Sequence, residues 1–220
     1  VRNPLARVVI DEVHCMSEWG HDFRPAYLTL PNTIKAILPT TPKLCLTATA
    51  STRVLDDIKT EFGIDANDVK TLALYRRENL NFAVLDCQPF EEVHKILREK
   101  LATNTLNNSQ ASIIFTSFVN GESGAHPLYQ SIKKYITDAN IFTGSKPKKH
   151  ATKNYEQEKA ATQKGFKDNK FPLLVATKAF GMGVNKTNVR STVHTGLPGS
   201  MEALYQEAGR AGRDRKKADC

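Results

Sequence analysis

The stretch Val8-Val-Ile-Asp-Glu-Val-His14 decides the architecture. Three β-branched apolar residues followed by two adjacent carboxylates read as a buried strand that ends at a polar site. In a parallel sheet, sites form at the carboxyl ends of strands. Asp11 placed there can hold Mg²⁺ through oxygen and water ligands, and Glu12 can orient and deprotonate a water attacking a phosphate. A plain strand-ending loop would also carry these letters, so the rest of the chain has to decide.

Outward from that strand, short apolar runs recur at 43–47, 82–86, 112–116, 173–177 and 191–195, and each reads as a strand. Helical patterns lie between them. Ser51 or Thr52 caps a helix with Val54, Ile58 and Phe62 on one face and Gly63 as its stop. Residues 91–101 put Val93, Ile96, Leu97 and Leu101 on one stripe, and 128–136, 155–166 and 201–208 are further helices. Alternation of strand and helix predicts an α/β fold with parallel sheets and crossovers. The polar stretch Arg76-Arg-Glu-Asn-Leu-Asn81 reads as a linker, which predicts domains at 1–78 and 79–220.

Composition agrees with folded domains. The chain has 220 residues, 40% hydrophobic and 25% charged, which excludes a disordered tail, a collagen-like chain and a coiled coil. No run of about 18 apolar residues occurs, so no bilayer span and no membrane partner is expected. Val1-Arg-Asn-Pro4 has neither an apolar signal core nor an initiator Met, and the chain reads as a piece of a longer one. Cys15, Cys45, Cys87 and Cys220 form no C-x-x-C pair and are expected to be reduced, mostly buried thiols. The net charge is 31 − 23 = +8. Residues 1–80 carry 10 basic and 10 acidic side chains, and residues 81–220 carry 21 and 13. Lys146 to Lys170 holds eight lysines against three acids, and Arg210 to Lys217 holds five cations. This asymmetry fits a polyanion such as nucleic acid, or a solvated basic surface, and charge alone leaves both open. The 146–170 lysines are read as solvated surface.

Further motifs follow the first. Ser17-Glu-Trp-Gly-His-Asp-Phe-Arg-Pro25 holds the only Trp of the chain beside a His, a Phe and an Arg, a set able to stack on unpaired bases and grip phosphate, or else to pack as a loop. Leu46-Thr-Ala-Thr-Ala50 places two hydroxyls at a strand end. Near the C-terminus come Ala179-Phe-Gly-Met-Gly-Val-Asn-Lys186 and Tyr205-Gln-Glu-Ala-Gly-Arg-Ala-Gly-Arg-Asp214.

In this order the motifs resemble those of RecQ-type DNA helicases of superfamily 2, most closely over 8–50 and 171–220. The resemblance implies two RecA-like motor lobes, ATP and Mg²⁺ as cofactors, and single-stranded and forked duplex DNA as partner. It implies ATP-driven 3′-to-5′ unwinding in the nucleus, with the cytoplasm as alternative. By the same resemblance Asp11 holds Mg²⁺, Glu12 acts on the attacking water, and His14 communicates with the neighbouring domain. Trp19, His21, Phe23 and Arg24 match the loop that senses single-stranded DNA. Thr47 and Thr49 match the motif that couples the ATP and DNA sites. Thr177 and Asn185 match DNA-backbone contacts, with Gly181 and Gly183 at the ATP cleft. Gln206, Arg210 and Arg213 match the last motif, with Arg213 as the arginine finger.

The sequence also departs from that pattern. It contains no Gly-Lys dipeptide, so the phosphate-cradling loop is expected to lie upstream, in a missing motor segment. The stretch Ile113-Ile-Phe-Thr-Ser-Phe-Val119 lacks the expected Cys and Arg. Residues 1–78 are therefore expected to be the carboxyl half of the first lobe, and 79–220 the second lobe. The chain alone is expected to be inactive. A non-catalytic, nucleic-acid-binding remnant of such a helicase is the alternative.

Overall fold

The computed structural model describes residues 5–17, 24–71, 77–86, 92–93, 95–97, 99, 110–147, 154–181 and 184–220. The chain divides into two units, Val1–Tyr75 and Arg76–Cys220.

In the first unit, β1 (Val8–Ile10) pairs in parallel with β2 (Lys43–Cys45), Ile10 opposite Cys45. Between them run α1 (Pro25–Leu28) and α2 (Leu30–Ile37), each with a proline in its first turn. The expected helices did not include these two, although a proline opening a helix is a readable signal. Helix α3 (Thr52–Phe62) follows the sequence reading closely. The Ser51 hydroxyl accepts the Val54 N–H, and Gly63 closes the helix at φ 63°. Its Val54, Ile58 and Phe62 pack with Ile10, Val13, Met16 and Ile34 as one core.

The second unit holds a six-stranded parallel sheet of order β3-β8-β7-β4-β6-β5. Its strands are β3 (Leu80–Asn81), β4 (Ala111–Phe115), β5 (Ala139–Phe142), β6 (Leu173–Ala176), β7 (Val189–His194) and β8 (Ala218–Asp219). Helices α4 (Ala125–Lys133), α5 (Tyr155–Lys167) and α6 (Met201–Ala208) connect them. Ile113 and Phe115 of β4 join one core with Phe142, Phe166 and Phe180, while Ile114 joins another with Leu128, Ile132 and Val175. Burial on both faces is why β6 is a continuous apolar run and why β4 is one apart from the buried Ser112.

Three expectations are corrected. The strand expected at 82–86 is instead the two-residue β3, because pairing with β8 takes in only Leu80, opposite Ala218, and Asn81, opposite Asp219. Ala83 N–H still reaches the Cys220 carbonyl, but Phe82, Val84 and Leu85 are exposed. The strand β5 was not expected, since Asn140 breaks its pattern. Its side chain accepts the Ile141 N–H. The helix expected at 128–136 is shifted to Ala125–Lys133. Of the 91–101 stripe, the described residues are helical, Leu97 is buried and Val93 packs beside it. Leu101 lies outside the described residues, as does Cys87.

Candidate functional site

Strand β1 delivers Asp11 and Glu12 at its carboxyl end. Glu12 adopts left-handed φ 50°, ψ 40°, which a non-glycine residue rarely does. Such a residue costs about 1–3 kcal/mol and persists only where the surroundings enforce it. They do so here through two bonds. Val13 N–H donates to the Leu46 carbonyl at 3.0 Å, and Glu12 N–H to Asp11 Oδ1 at 2.9 Å.

The next residue but one is the hub. His14 is 2% exposed. Its Nδ1 lies 2.9 Å from Thr47 Oγ1 and 3.4 Å from Glu12 Oε2, the latter a close contact without hydrogen-bond alignment. The Thr47 hydroxyl gives its single hydrogen to the Thr49 carbonyl at 2.9 Å and accepts the Thr49 N–H at 3.3 Å. With that hydrogen used, Nδ1 must be the donor to Thr47, which sets the Nδ1–H tautomer. Nε2 then faces the Cys15 thiol at 3.7 Å. Glu12 thus turns one buried oxygen toward the imidazole, while its side chain as a whole remains 42% exposed and can take a proton from water.

Asp11 is exposed, with Oδ1 accepting the Glu12 N–H. Among the described residues no group of three His, Cys, Asp or Glu could cage a metal. One exposed carboxylate fits Mg²⁺ nonetheless, because that ion keeps waters and takes its other ligands from substrate phosphates. Arg24 N–H donates to the Cys15 carbonyl at 2.8 Å, and Tyr27 Oη to the Asp11 carbonyl at 3.4 Å. Trp19, His21 and Phe23 lie outside the described residues.

In the second unit, the Ser200 hydroxyl caps α6 by accepting the Ala203 N–H at 3.1 Å. The helix ends in the loop that carries Arg210 and Arg213. A Cβ on Gly209 would stand 2.8 Å from the Tyr205 carbonyl oxygen. Gly212 has φ +55°, and a Cβ there would collide with the Asn79 amide. Arg213 Nη1 donates to the Val184 carbonyl at 3.1 Å and to Asn185 Oδ1 at 3.2 Å. Partial burial of its guanidinium, with the Arg77 guanidinium nearby, lowers its pKa from the usual arginine value. Arg210 is buried at 7% exposure and Gln206 is half-buried. Thr177 is also buried, and its Oγ1 accepts the Gly144 N–H at 3.3 Å. Gly181 ends the short helical turn Lys178–Gly181, and Gly183 lies outside the described residues.

The first unit therefore brings Glu12, His14, Thr47 and Thr49 together, and the second brings Asn185 to Arg213. Thr177 instead serves a strand-end loop. Sequence reading missed Arg77 and Asn79, which sit in the stretch read only as a linker. It also missed Lys186, which is buried. Its Nζ is 2.6 Å from Asn169 Oδ1 and 4.9 Å from the Phe166 ring centroid.

The helicase conserved C-terminal domain matches residues 89–215. The chain is 35% identical over 221 residues to "ATP-dependent DNA helicase Q-like 4B" of Arabidopsis thaliana, covering 100% of this chain and 18% of that protein. It is 33% identical to "ATP-dependent DNA helicase RecQ" of Bacillus subtilis, covering 97% of this chain and 33% of that protein. The chain thus spans a third or less of the length of these relatives. Among solved structures, S. cerevisiae Dbp5 bound to RNA and ADP BeF3 superposes with a TM-score of 0.70 at 20% identity, over 98% of this chain and 52% of that one. Mss116p bound to single-stranded RNA and AMP-PNP gives 0.66 at 19%, over 98% and 42%. These two likenesses establish the RecA-like α/β fold of parallel sheets with flanking helices. The chain belongs to the helicase conserved C-terminal domain family, and along its whole length it is similar to RecQ-type DNA helicases.

Proposed function

We propose that this chain supplies hydrolytic and DNA-contacting residues to an ATP-dependent 3′-to-5′ DNA helicase of RecQ type. The observation that carries the reading is the buried His14 imidazole, which joins Glu12 to Thr47 and Thr49. A solvated strand-end loop has no use for a histidine buried between a carboxylate and a hydroxyl, since burying polar groups costs free energy unless they are paired.

Asp11 would hold Mg²⁺ together with nucleotide phosphate oxygens, and the ion would neutralise charge on those phosphates. Glu12, aimed by its left-handed backbone and His14, accepts the proton of the attacking water. Arg213 offers a planar, permanently charged fork to phosphate oxygens. The sequence contains no Gly-Lys-Ser/Thr loop, so these 220 residues alone are not expected to turn over ATP. Single-stranded DNA would be read by Trp19, His21, Phe23 and Arg24, and held along the carboxyl ends of β7, β4, β6 and β5. There Thr195, Thr116, Thr177 and Thr143 order the loops by bonding backbone groups. Asn185 and the excess of positive charge in residues 81–220 suit the phosphate backbone. Action in the nucleus, with the cytoplasm as the alternative, is part of the same proposal.

The test is strand displacement by this chain joined to the phosphate-binding segment of a RecQ-type relative. The reading expects ATP-dependent displacement on a 3′-tailed duplex and little on a 5′-tailed one. Binding of single strands without displacement on either duplex would select the non-catalytic alternative instead.

A further inference from the structure

Arg77 lies two residues past the boundary between the units, and its guanidinium is spent on one loop. Nη2 donates to the carbonyls of Ala211 at 2.9 Å and Gly212 at 2.6 Å, and Nη1 to that of Gly209 at 3.3 Å. Nε donates to Asn79 Oδ1 at 3.3 Å. The Asn79 amide in turn donates to the carbonyls of Gly212 at 2.9 Å and Lys216 at 2.8 Å. The loop's own N–H groups are tied elsewhere, Gly212 to Val189 and Ala211 to Ala208.

We infer that Arg77 is a positioning residue for Arg213, holding the loop from Gly209 to Gly212 in the shape that presents the Arg213 guanidinium. Carbonyls past a helix C-terminus have no partner within the helix and favour a cation. Only a planar fork with five N–H donors can serve three such carbonyls and an amide at once; an ammonium cannot. Gly212 completes the fit, since any side chain there would displace Asn79. The arrangement also holds two guanidinium groups near each other, while the adjacent carboxylate of Asp214 is engaged by Arg190. An anion reaching Arg213 gains from both cations. The inference rests on the proposed phosphate role of Arg213 only in this last respect.

Two measurements on the 220-residue chain test it, in Arg77→Lys and, as a milder variant, Asn79→Ser. The first is amide hydrogen exchange by NMR. Exchange at Arg210, Ala211 and Gly212 is expected to rise at least tenfold, with β4 and β6 amides unchanged. The second is titration with inorganic tripolyphosphate, followed at the Arg213 side-chain N–H. Its affinity is expected to fall at least fivefold in Arg77→Lys and less in Asn79→Ser. Unchanged loop exchange overturns the inference. Faster exchange with unchanged tripolyphosphate affinity also overturns it, by making Arg77 structural only. If the unsubstituted chain shows no Arg213 response to tripolyphosphate, the phosphate reading of Arg213 fails, and the exchange result alone decides whether Arg77 holds the loop. If Arg77→Lys loses protection throughout β4 and β6, the same two readouts in Asn79→Ser decide.

Discussion

At the scale of residues, the first unit turns on one hydrogen. Because Thr47 spends its proton on the Thr49 carbonyl, His14 must donate through Nδ1. Replacing Thr47 by Val removes that acceptor. Taking one partner out of a buried hydrogen bond costs about 1–3 kcal/mol. Thr47→Val is therefore expected to destabilise the first unit by that amount in urea titration, and to shift His14 away from a pure Nδ1–H tautomer in ¹⁵N NMR. Thr47→Ser should change neither. A second residue prediction concerns Lys186, whose pKa burial lowers, against a weaker opposing pull from Asp168. Between that lowered value and the ordinary value of 10.5, the unfolded chain binds more protons at this site than the folded one, so its contribution to stability rises with pH. The stability of the unsubstituted chain minus that of Lys186→Met should accordingly grow between pH 7 and pH 10 in denaturant titrations. A difference that shrinks would contradict the assignment.

At the scale of elements, legibility followed local chemistry. Helix α3 could be read because its cap, its apolar face and its glycine stop all lie in the sequence. Its ends can be tested separately. Ser51→Ala should cost about 0.5–2 kcal/mol through the lost cap. Gly63→Ala should cost about 1–2 kcal/mol from the left-handed backbone alone, since nothing lies within 4 Å of the added Cβ. Both are checked by thermal unfolding. The strands β3, β5 and β8 were not legible, because they are two to four residues long and exist by virtue of their neighbours. A device that recurs across elements also went unread. Thr47, Thr116 and Thr143 each donate a hydroxyl to the carbonyl two residues on, just past β2, β4 and β5. Such side-chain turns fix the strand-end loops that parallel sheets use as sites.

At the scale of the whole molecule, two units differ in what the sequence could say about them. The acidic box and the threonine pair were recognisable as motifs, yet their joining through His14 is a contact across 33 residues that no spacing announces. The arginine loop was recognisable too, while its support from Arg77 spans more than 130 residues and looked like linker. Charge alone left a polyanion partner and a solvated basic surface both open. Among the described residues no helix is long and apolar enough to cross a membrane. The central claim is that Glu12, held by His14, acts on the water that attacks ATP. The direct measurement is single-stranded-DNA-stimulated ATP hydrolysis by this chain joined to the phosphate-binding segment of a RecQ-type relative, with and without Glu12→Gln. Loss of a general base typically costs about 10²–10⁴-fold. The account predicts a fall in kcat of that order with DNA affinity unchanged within about threefold, whereas turnover preserved in Glu12→Gln would contradict it.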